Sequence, residues 1–330
     1  MSPNRFWTGV GVSAAVLIAV SIAAPLIGSA SLDYGRALAH LSPDYEILFV
    51  VRVPRVLLAL LAGGTLAVTG VLFQAILREP LAEPFTLGIS SGSALGAVLS
   101  ICLGWASVAG VPATWIAAFI GAAMTLLIVL AIAFEGRRVS SFTLLLAGVS
   151  INSISMATIL FLHNVATFSQ SFAITRWLMG GIDAVEYRVL FWLAVAVLPA
   201  VAVVFWRARD WNLLAVGEEW AATRGVHATR MLTAGYIAGS LMTASVTAFT
   251  GPIGFIGLIV PHALRIAFGA DHRVLIPCSF LLGAAFLIVC DTLSRTILAP
   301  TEVPVGVITA MLGGPFFIWL LRSKRRSLWL

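Results

Sequence analysis

Long apolar segments recur along the whole chain, and this recurrence constrains the fold more than any other feature of the sequence. A helix needs about 20 mostly apolar residues to cross a bilayer. The mean hydropathy is +1.03 and only 10% of residues are charged, values that exclude an ordinary soluble protein. We predict an all-α, polytopic membrane protein with about 10 transmembrane helices in one transmembrane domain over residues 1–330. The predicted helices are 6–27, 56–76, 86–106, 112–134, 142–163, 187–206, 231–250, 255–269, 274–297 and 305–321.

The first apolar segment has to be distinguished from a cleaved signal peptide. It follows Arg5 and precedes the small residues Gly28, Ser29 and Ala30, as the core of a signal peptide would. Its apolar run is longer than the core of about 7–15 residues that signal peptides have. We therefore expect this segment to be retained as the first transmembrane helix.

The positions of the basic residues predict the orientation. If the N-terminus is cytoplasmic, 14 Arg and Lys residues lie on the inner side. The other 6 then lie outside: Arg36, Arg52, Arg55, Arg176, Arg188 and Arg295. The positive-inside rule favours this arrangement, so both termini are predicted to be cytoplasmic. Because the basic residues are spread over many loops, the net charge of +6 indicates membrane orientation and no nucleic-acid partner.

Two segments of the sequence resemble each other. Arg55–Thr65 opens the second predicted helix, and Arg230–Ser240 opens the seventh. Five helices separate them, so the two copies would run in opposite directions, as in an inverted repeat of five plus five helices. Chance similarity between two helices rich in Gly and Ala is the alternative.

The longest polar interruption in the second half, residues 207–230, lies on the predicted cytoplasmic side. It contains an acidic pair, two alanines and a following glycine, which together favour a short helix with a sharp exit. Such a helix is suited to bind in a groove of a partner protein, although a plain solvated loop fits the spacing equally well. The residues concerned are Gly217, Glu218, Glu219, Ala221, Ala222 and Gly225.

Several sequence blocks together resemble a known family. The chain from Leu48 to Leu321 is similar to the FecCD family of ATP-binding-cassette (ABC) importer permeases, which import iron–siderophore complexes, haem and vitamin B12. Residues 217–225 resemble the coupling loop of such permeases. The other matching blocks are Arg52-Val-Pro-Arg55, Pro80–Pro84 with Leu87–Gly92, Leu144–Gly148, Gly251–Leu258 with Pro261-His262, and Pro304–Gly306 with Gly313–Pro315.

The resemblance implies a complex in the inner membrane. It would contain two permease subunits, with two copies of this chain as the first choice, two cytoplasmic ATPases and a periplasmic binding protein, all surrounded by membrane lipid. The ATPases would use ATP and magnesium, and we expect no cofactor or metal to bind this chain. The sequence agrees with this division, because its single lysine, Lys324, lies outside any Gly-Lys-Ser/Thr phosphate-binding loop.

The resemblance assigns Arg52, Arg55 and Arg295 to docking of the binding protein. In the family, matching arginines receive glutamates from the two lobes of that protein, and guanidinium groups are suited to such pairing. The alternative is that these arginines anchor the chain at the membrane interface or form local ion pairs. Asp291, four residues before Arg295, is placed for a local pair on a helix surface.

The fifth predicted helix has a polar side with Ser150, Asn152 and Ser153. These uncharged groups suit a pathway for a bulky substrate, and hydrogen bonding between helices is the alternative. The resemblance places this helix beside the translocation pathway. It places the inner gate at Ser140 and Ser141, and at a turn that contains Glu79 and Leu81. The usual Asn before Pro-Leu-Ala is replaced by Glu79, which adds a carboxylate that is expected either near the exit or paired with Arg78.

These features predict the permease subunit of an ABC importer for a metal chelate, with ferric siderophore first, then vitamin B12 and haem. An ion-coupled secondary transporter with inverted repeats is the alternative. Such carriers place ionisable groups at the centre of the membrane, and this sequence has almost none apart from Asp291. An enzyme is not expected, because the carboxylates of Asp291 and Glu302 are too isolated in the sequence for paired acid–base chemistry.

Overall fold

The computed structural model describes residues 3–28, 31–108, 110–136 and 138–323. Ser29, Ala30, Arg137, Lys324, Arg325 and Arg326, which entered the arguments on processing and orientation, lie outside the described residues, as does the side chain of Arg5. The described α-helices are α1 Pro3–Ala23, α2 Tyr34–Leu38, α3 Val53–Leu77, α4 Ile89–Cys102, α5 Ala113–Ala133, α6 Ser141–Val165, α7 Phe168–Leu178, α8 Tyr187–Trp206, α9 Ala208–Val216, α10 Glu218–Thr223, α11 Ala228–Thr250, α12 Ile256–Phe268, α13 His272–Thr296 and α14 Val305–Ser323.

Short irregular elements complete the described part of the chain. A 3-10 helix, Ala24–Leu26, follows α1, and a π-helix, Glu46–Arg52, leads into α3. Two antiparallel hairpins pair β1 Ser107–Val108 with β2 Val111–Pro112, and β3 Phe134–Glu135 with β4 Arg138–Val139. The fold is therefore all-α, as predicted.

The transmembrane segments follow the predicted pattern. Seven of the described segments are long and apolar enough to cross a membrane: Phe6–Leu26, Glu46–Leu77, Ala113–Ala133, Ser141–Val165, Tyr187–Trp206, Ala228–Thr250 and His272–Thr296. Three shorter apolar helices, Ile89–Cys102, Ile256–Phe268 and Val305–Leu320, occupy the three remaining predicted segments. The polytopic architecture is confirmed.

Helix α3 lies at the centre of the described structure and is buried along nearly its whole length. Its glycines allow close approach of neighbouring helices. A Cβ atom at Gly63 would overlap the carbonyl oxygen of Gly283 in α13, and one at Gly70 would overlap that of Gly257 in α12. Packing of α3 against α12 and α13 therefore depends on backbone contact.

Helices α4 and α12 are short, with 14 and 13 residues, and hold corresponding places after α3 and α11. Each begins after a proline-containing segment, at a residue with a left-handed backbone: Gly88 with φ 78° and Phe255 with φ 70°. The carboxylate of Glu83, in the segment before α4, accepts a hydrogen bond of 3.2 Å from the backbone N–H of Phe255. The correspondence between the two helices is what an inverted repeat predicts.

Helices α7 and α9 lie between predicted transmembrane segments and were not predicted from the sequence. Within the interruption at 207–230, α9 buries Ala208, Trp211 and Leu214, a spacing of three residues that is typical of an amphipathic helix. Between the fifth and sixth predicted helices, α7 begins with a capping box in which the side chains of Thr167 and Gln170 each bond the other residue's backbone. The capping box is visible in the sequence as Thr-x-x-Gln and would have located α7.

Candidate functional site

The three predicted docking arginines meet at one end of the helix pair formed by α3 and α13. These helices run antiparallel, so Arg52 and Arg55 at the start of α3 come beside Arg295 at the end of α13. All three are buried, with exposed fractions of 5%, 7% and 5%. The arrangement brings together residues that are about 240 positions apart in the sequence.

The carboxylate of Asp291 joins two of these arginines. Its Oδ1 atom lies 2.9 Å from Nε of Arg55, and its Oδ2 atom lies 3.2 Å from Nε of Arg295. The Asp291 side chain is completely buried, so the two guanidinium groups supply the compensation that a buried carboxylate needs. The predicted local pair of Asp291 with Arg295 is present, and the pair with Arg55 was missed because it spans 236 residues.

Glu302 forms the exposed edge of this cluster. Its carboxylate accepts hydrogen bonds from Nη1 of Arg55 at 3.0 and 3.1 Å, and 47% of its side chain is exposed. Asp291 and Glu302, which are 11 positions apart in the sequence, therefore share one guanidinium group. We call Arg52, Arg55, Asp291, Arg295 and Glu302 the outer cluster.

The outer cluster also holds the end of the first transmembrane segment. Arg52 donates a hydrogen bond of 3.1 Å to the carbonyl oxygen of Pro25, and Arg295 donates to those of Ala24 and Ile27 at 3.4 and 3.3 Å. These arginines have structural partners within the chain. Their docking role therefore stays a prediction, with Glu302 as the group through which the cluster reaches the surface.

A cavity of about 780 Å³ opens beside the outer cluster. Arg55 and Glu302 form part of its wall, together with Trp115, Trp177 and Phe249. Aromatic walls with a few charged groups are typical of sites that receive a ligand or a side chain of a partner. The cavity places the Arg55–Glu302 pair where another molecule can contact it.

A second group of polar residues lies on the predicted cytoplasmic side. Nη2 of Arg78, directly after α3, lies 3.0 Å from Oε1 of Glu218 and 3.3 Å from Oγ of Ser141. The hydroxyl of Ser141 donates a hydrogen bond of 3.1 Å to the same Glu218 oxygen. We call Arg78, Ser141 and Glu218 the inner triad, which joins a predicted gate residue to a predicted coupling residue.

The ion pair of Arg78 corrects one expectation for Glu79. The recorded partner of Arg78 is Glu218, because α10 brings that carboxylate to the end of α3. Oε1 of Glu79 instead accepts a hydrogen bond of 3.4 Å from the backbone N–H of Leu81. This contact lies within one turn and joins two of the predicted gate residues. Ser140 caps α6 by accepting a hydrogen bond of 3.2 Å from the backbone N–H of Thr143.

The coupling segment forms the short helix that its sequence favours. Helix α10 starts after Gly217, and Gly225 ends the segment with φ 82°, a conformation that glycine adopts readily. Ala221 is completely buried within this chain, whereas Ala222, Glu219 and Trp220 are exposed, Trp220 by 62%. Thr223 is exposed as well, so these four residues form the surface that α10 presents, and Trp220 was not singled out from the sequence.

The polar side of α6 is exposed, with its hydroxyl groups bonded inside the helix. Ser150 donates to the carbonyl oxygen of Leu146 at 2.9 Å and Ser153 to that of Val149 at 3.0 Å, while Asn152 is half-buried. For Ser150 and Ser153 the recorded bonds do not join two helices, which leaves their outward face available to a pathway.

His163, near the end of α6, binds α7. Its Nε2 atom lies 2.9 Å from Oγ of Ser171 and 3.2 Å from Oγ1 of Thr175. These contacts give the histidine a packing role between two helices.

Comparison with known proteins identifies the family. Residues 15–323, which are most of the chain, match the FecCD transport family. The chain belongs to the FecCD transport family. Its relatives include the hemin transport system permease protein of Yersinia pestis, 35% identical over 317 residues that cover 94% of each chain. Another is the cobalamin import system permease protein of Halobacterium salinarum, 40% identical over 84% of this chain and 74% of that one.

A solved structure supports the same assignment. A metal-chelate-type ABC transporter in an inward-facing conformation is 29% identical to this chain, with a TM-score of 0.83. The match covers 96% of this chain and 99% of the solved one. This FecCD-family chain therefore has the polytopic fold of an ABC transporter permease.

In this FecCD-family chain, the two polar groups lie at opposite ends of α3. The outer cluster surrounds the residues that begin α3, and the inner triad contains the residue that follows its last turn. With 25 residues at about 1.5 Å each, α3 separates the two groups by roughly the thickness of a bilayer. One rigid, buried helix thus connects the predicted docking site to the predicted coupling site.

Proposed function

We propose that this chain is the permease subunit of an ATP-driven ABC importer that moves a metal chelate from a binding protein to the cytoplasm. The observation that carries the proposal is the pair of polar groups at opposite ends of α3 in a FecCD-family fold. At one end lies the outer cluster, in which the arginines are buried and Glu302 is exposed. The other end offers α10, whose exposed residues suit contact with an ATPase.

The proposed complex contains two copies of this chain, two ATPases and a periplasmic binding protein in the inner membrane, with both chain termini in the cytoplasm. The ATPases bind ATP and magnesium and hydrolyse the ATP, so the chain itself is a transport subunit and not an enzyme. We infer that the exposed hydroxyl face of α6 lines a pathway between two copies. The hydroxyl groups of Ser150 and Ser153 bond carbonyl oxygens within α6, so they can lie on an exposed surface without a fixed bond to another helix, as suits the wall of a pathway.

The cargo that we propose is a metal chelate. Ferric siderophore was the first candidate from the sequence. The relatives named for hemin and cobalamin import support haem and vitamin B12 as the other two candidates. The described site residues are scaffold and partner surfaces, so they discriminate little between these cargoes. Choice of cargo is assigned to the binding protein.

Transport in proteoliposomes tests this function. The chain is reconstituted with its ATPase and binding protein, and uptake of labelled ferric siderophore, vitamin B12 and haem is compared with and without ATP. We expect uptake of one of these chelates that needs ATP, the ATPase and the binding protein together. Uptake that is driven by an ion gradient in liposomes lacking the ATPase would instead identify a secondary transporter.

A further inference from the structure

The inner triad joins three elements at one point. Arg78 follows the last residue of α3, Ser141 is the first residue of α6, and Glu218 is the first residue of α10. Their contacts of 3.0, 3.1 and 3.3 Å form a closed triangle. Because 140 residues separate Arg78 from Glu218, nothing in the local sequence requires this meeting.

The three elements differ in how firmly they are held. Helix α3 is buried along nearly its whole length, so it forms a fixed support for Arg78. The backbone of Arg78 has φ 53°, a left-handed conformation that ends the helix and directs the side chain away from its axis. By contrast, α10 is a six-residue helix with an exposed surface, which makes it the element that a partner can displace.

The strength of the contact suits a link that opens and closes. The side chains of Arg78 and Glu218 are 41% and 34% exposed, so water screens their attraction. Exposed ion pairs contribute little to stability and exchange readily with water. Ser141 is buried, with 7% exposed, so the hydroxyl that shares Glu218 belongs to the packed start of α6.

We propose that the inner triad transmits movement of α10 to the inner end of α6. Glu218 holds the hydroxyl of Ser141 in place, and Arg78 fixes Glu218 to α3. Displacement of α10 by the ATPase withdraws Glu218 and releases the start of α6. This inference rests on the proposed function and assigns Arg78 and Glu218 as positioning residues for the gate.

The proposed link is tested by the ratio of ATP molecules hydrolysed to substrate molecules transported. In reconstituted complexes, Glu218→Gln removes the charge and keeps the shape of the side chain. Arg78→Gly removes the guanidinium group and suits the left-handed backbone, so the turn after α3 is kept. Ser141→Ala keeps the ion pair but detaches α6. We expect each variant to raise the ratio by about two- to fivefold, the range open to a partly exposed polar contact.

The double variant with Glu218→Gln and Ser141→Ala tests whether these residues act together. Residues of one network give non-additive effects, so its ratio should equal that of a single variant. Arg207→Gln is the matched control, because Arg207 and Asp210 form an exposed ion pair of the same 3.0 Å length within one short segment. It should leave the ratio unchanged.

Three results would overturn the link. They are an unchanged ratio in Glu218→Gln, independent additive effects in the double variant, and loss of ATPase co-purification in Glu218→Gln, which would make Glu218 a docking residue. If Arg78→Gly fails to fold, the Glu218→Gln and Ser141→Ala ratios decide. Failure of the unmodified complex to transport any chelate with ATP would instead count against the proposed function.

Discussion

At the scale of single residues, Asp291 shows how this chain tolerates charge among apolar helices. The side chain is completely buried near the end of α13, yet guanidinium groups of Arg55 and Arg295 lie within 2.9 and 3.2 Å. A buried charge is strongly unfavourable unless it is paired. Two of the predicted docking arginines, Arg55 and Arg295, therefore depend on Asp291 for their positions.

Asp291→Asn is expected to lower the stability of the purified chain by about 3–5 kcal/mol, because it leaves two buried guanidinium groups without a full counter-charge. Thermal unfolding in detergent measures the loss. Asp183→Asn is the control, since Asp183 and Arg176 are 76% and 71% exposed and lie 3.9 Å apart. Equal melting temperatures for the two variants would show that Asp291 contributes no more than a surface charge.

At the scale of secondary-structure elements, α10 has two distinct faces. Ala221 points into the chain and is completely buried, while Trp220 and Ala222 are exposed. Exposed tryptophans often dominate the binding energy of an interface. The exposed face is therefore the part of the coupling segment that is expected to contact the ATPase.

Trp220→Ala is expected to weaken ATPase binding by on the order of 2 kcal/mol, the range of an interface hot spot, without changing the stability of the isolated chain. Ala222→Asp should weaken binding as well. Ala221→Asp should instead destabilise the chain, because it buries a carboxylate. Co-purification and thermal unfolding separate the two effects, and an equal loss of stability in all three variants would contradict the assignment of faces.

A second element contact joins α9 to the start of α13. The amide of Asn212 donates to Oδ1 of Asp271 at 2.9 Å and accepts from the backbone N–H of His272 at 2.9 Å. The Arg273 guanidinium holds the pKa of Asp271 below its usual range. Asp271 thus stays ionised at neutral pH and at mildly acidic pH.

Asn212→Ala is expected to lower stability by about 1–3 kcal/mol, because it leaves buried polar groups without partners. The loss should be equal at pH 6 and pH 8, measured by unfolding in detergent. A carboxylate with a depressed folded-state pKa contributes stability that is present above its unfolded pKa of about 4 and is lost only in stronger acid. A loss that changes between pH 6 and pH 8 would mean that the ring of His272, whose Nδ1 atom lies 2.7 Å from Oδ1 of Asn212, changes its protonation in the variant.

At the scale of the whole molecule, the outer cluster and inner triad are held at fixed separation by α3. Docking and ATPase coupling are therefore assigned to opposite surfaces, and changes at one should leave binding at the other intact. Arg55 and Arg295 are poor sites for charge reversal, since a carboxylate in either place would face Asp291. Glu302 is the better probe because it is half-exposed and touches Arg55 from outside.

Glu302→Gln is expected to tighten docking of the binding protein by about two- to fivefold at low salt, because it removes a carboxylate that competes for Arg55. The gain should shrink as salt screens the charges. Affinity for the reconstituted transporter is measured at low and moderate salt. Glu186→Gln changes the net charge equally and is the control, because Glu186 is exposed and lies outside the cavity that Arg55 and Glu302 line, so an equal gain there would place docking away from the outer cluster.

The transmembrane architecture could be predicted from the amino-acid sequence, because a helix must satisfy its own backbone hydrogen bonds in lipid and its apolar length is a local property. The sequence also located the short helix at residues 217–225 and the three arginines of the outer cluster, whereas Glu302 was predicted to be isolated and Arg78 was considered only as a partner of Glu79. Only the tertiary structure decided that Arg55 meets Asp291 across 236 residues, that Arg78 meets Glu218 across 140, and that Ala221 is buried. The first contact depends on close packing of α3 against α13 through Gly63 and Gly283, and the other two depend on where α10 packs against the rest of the chain.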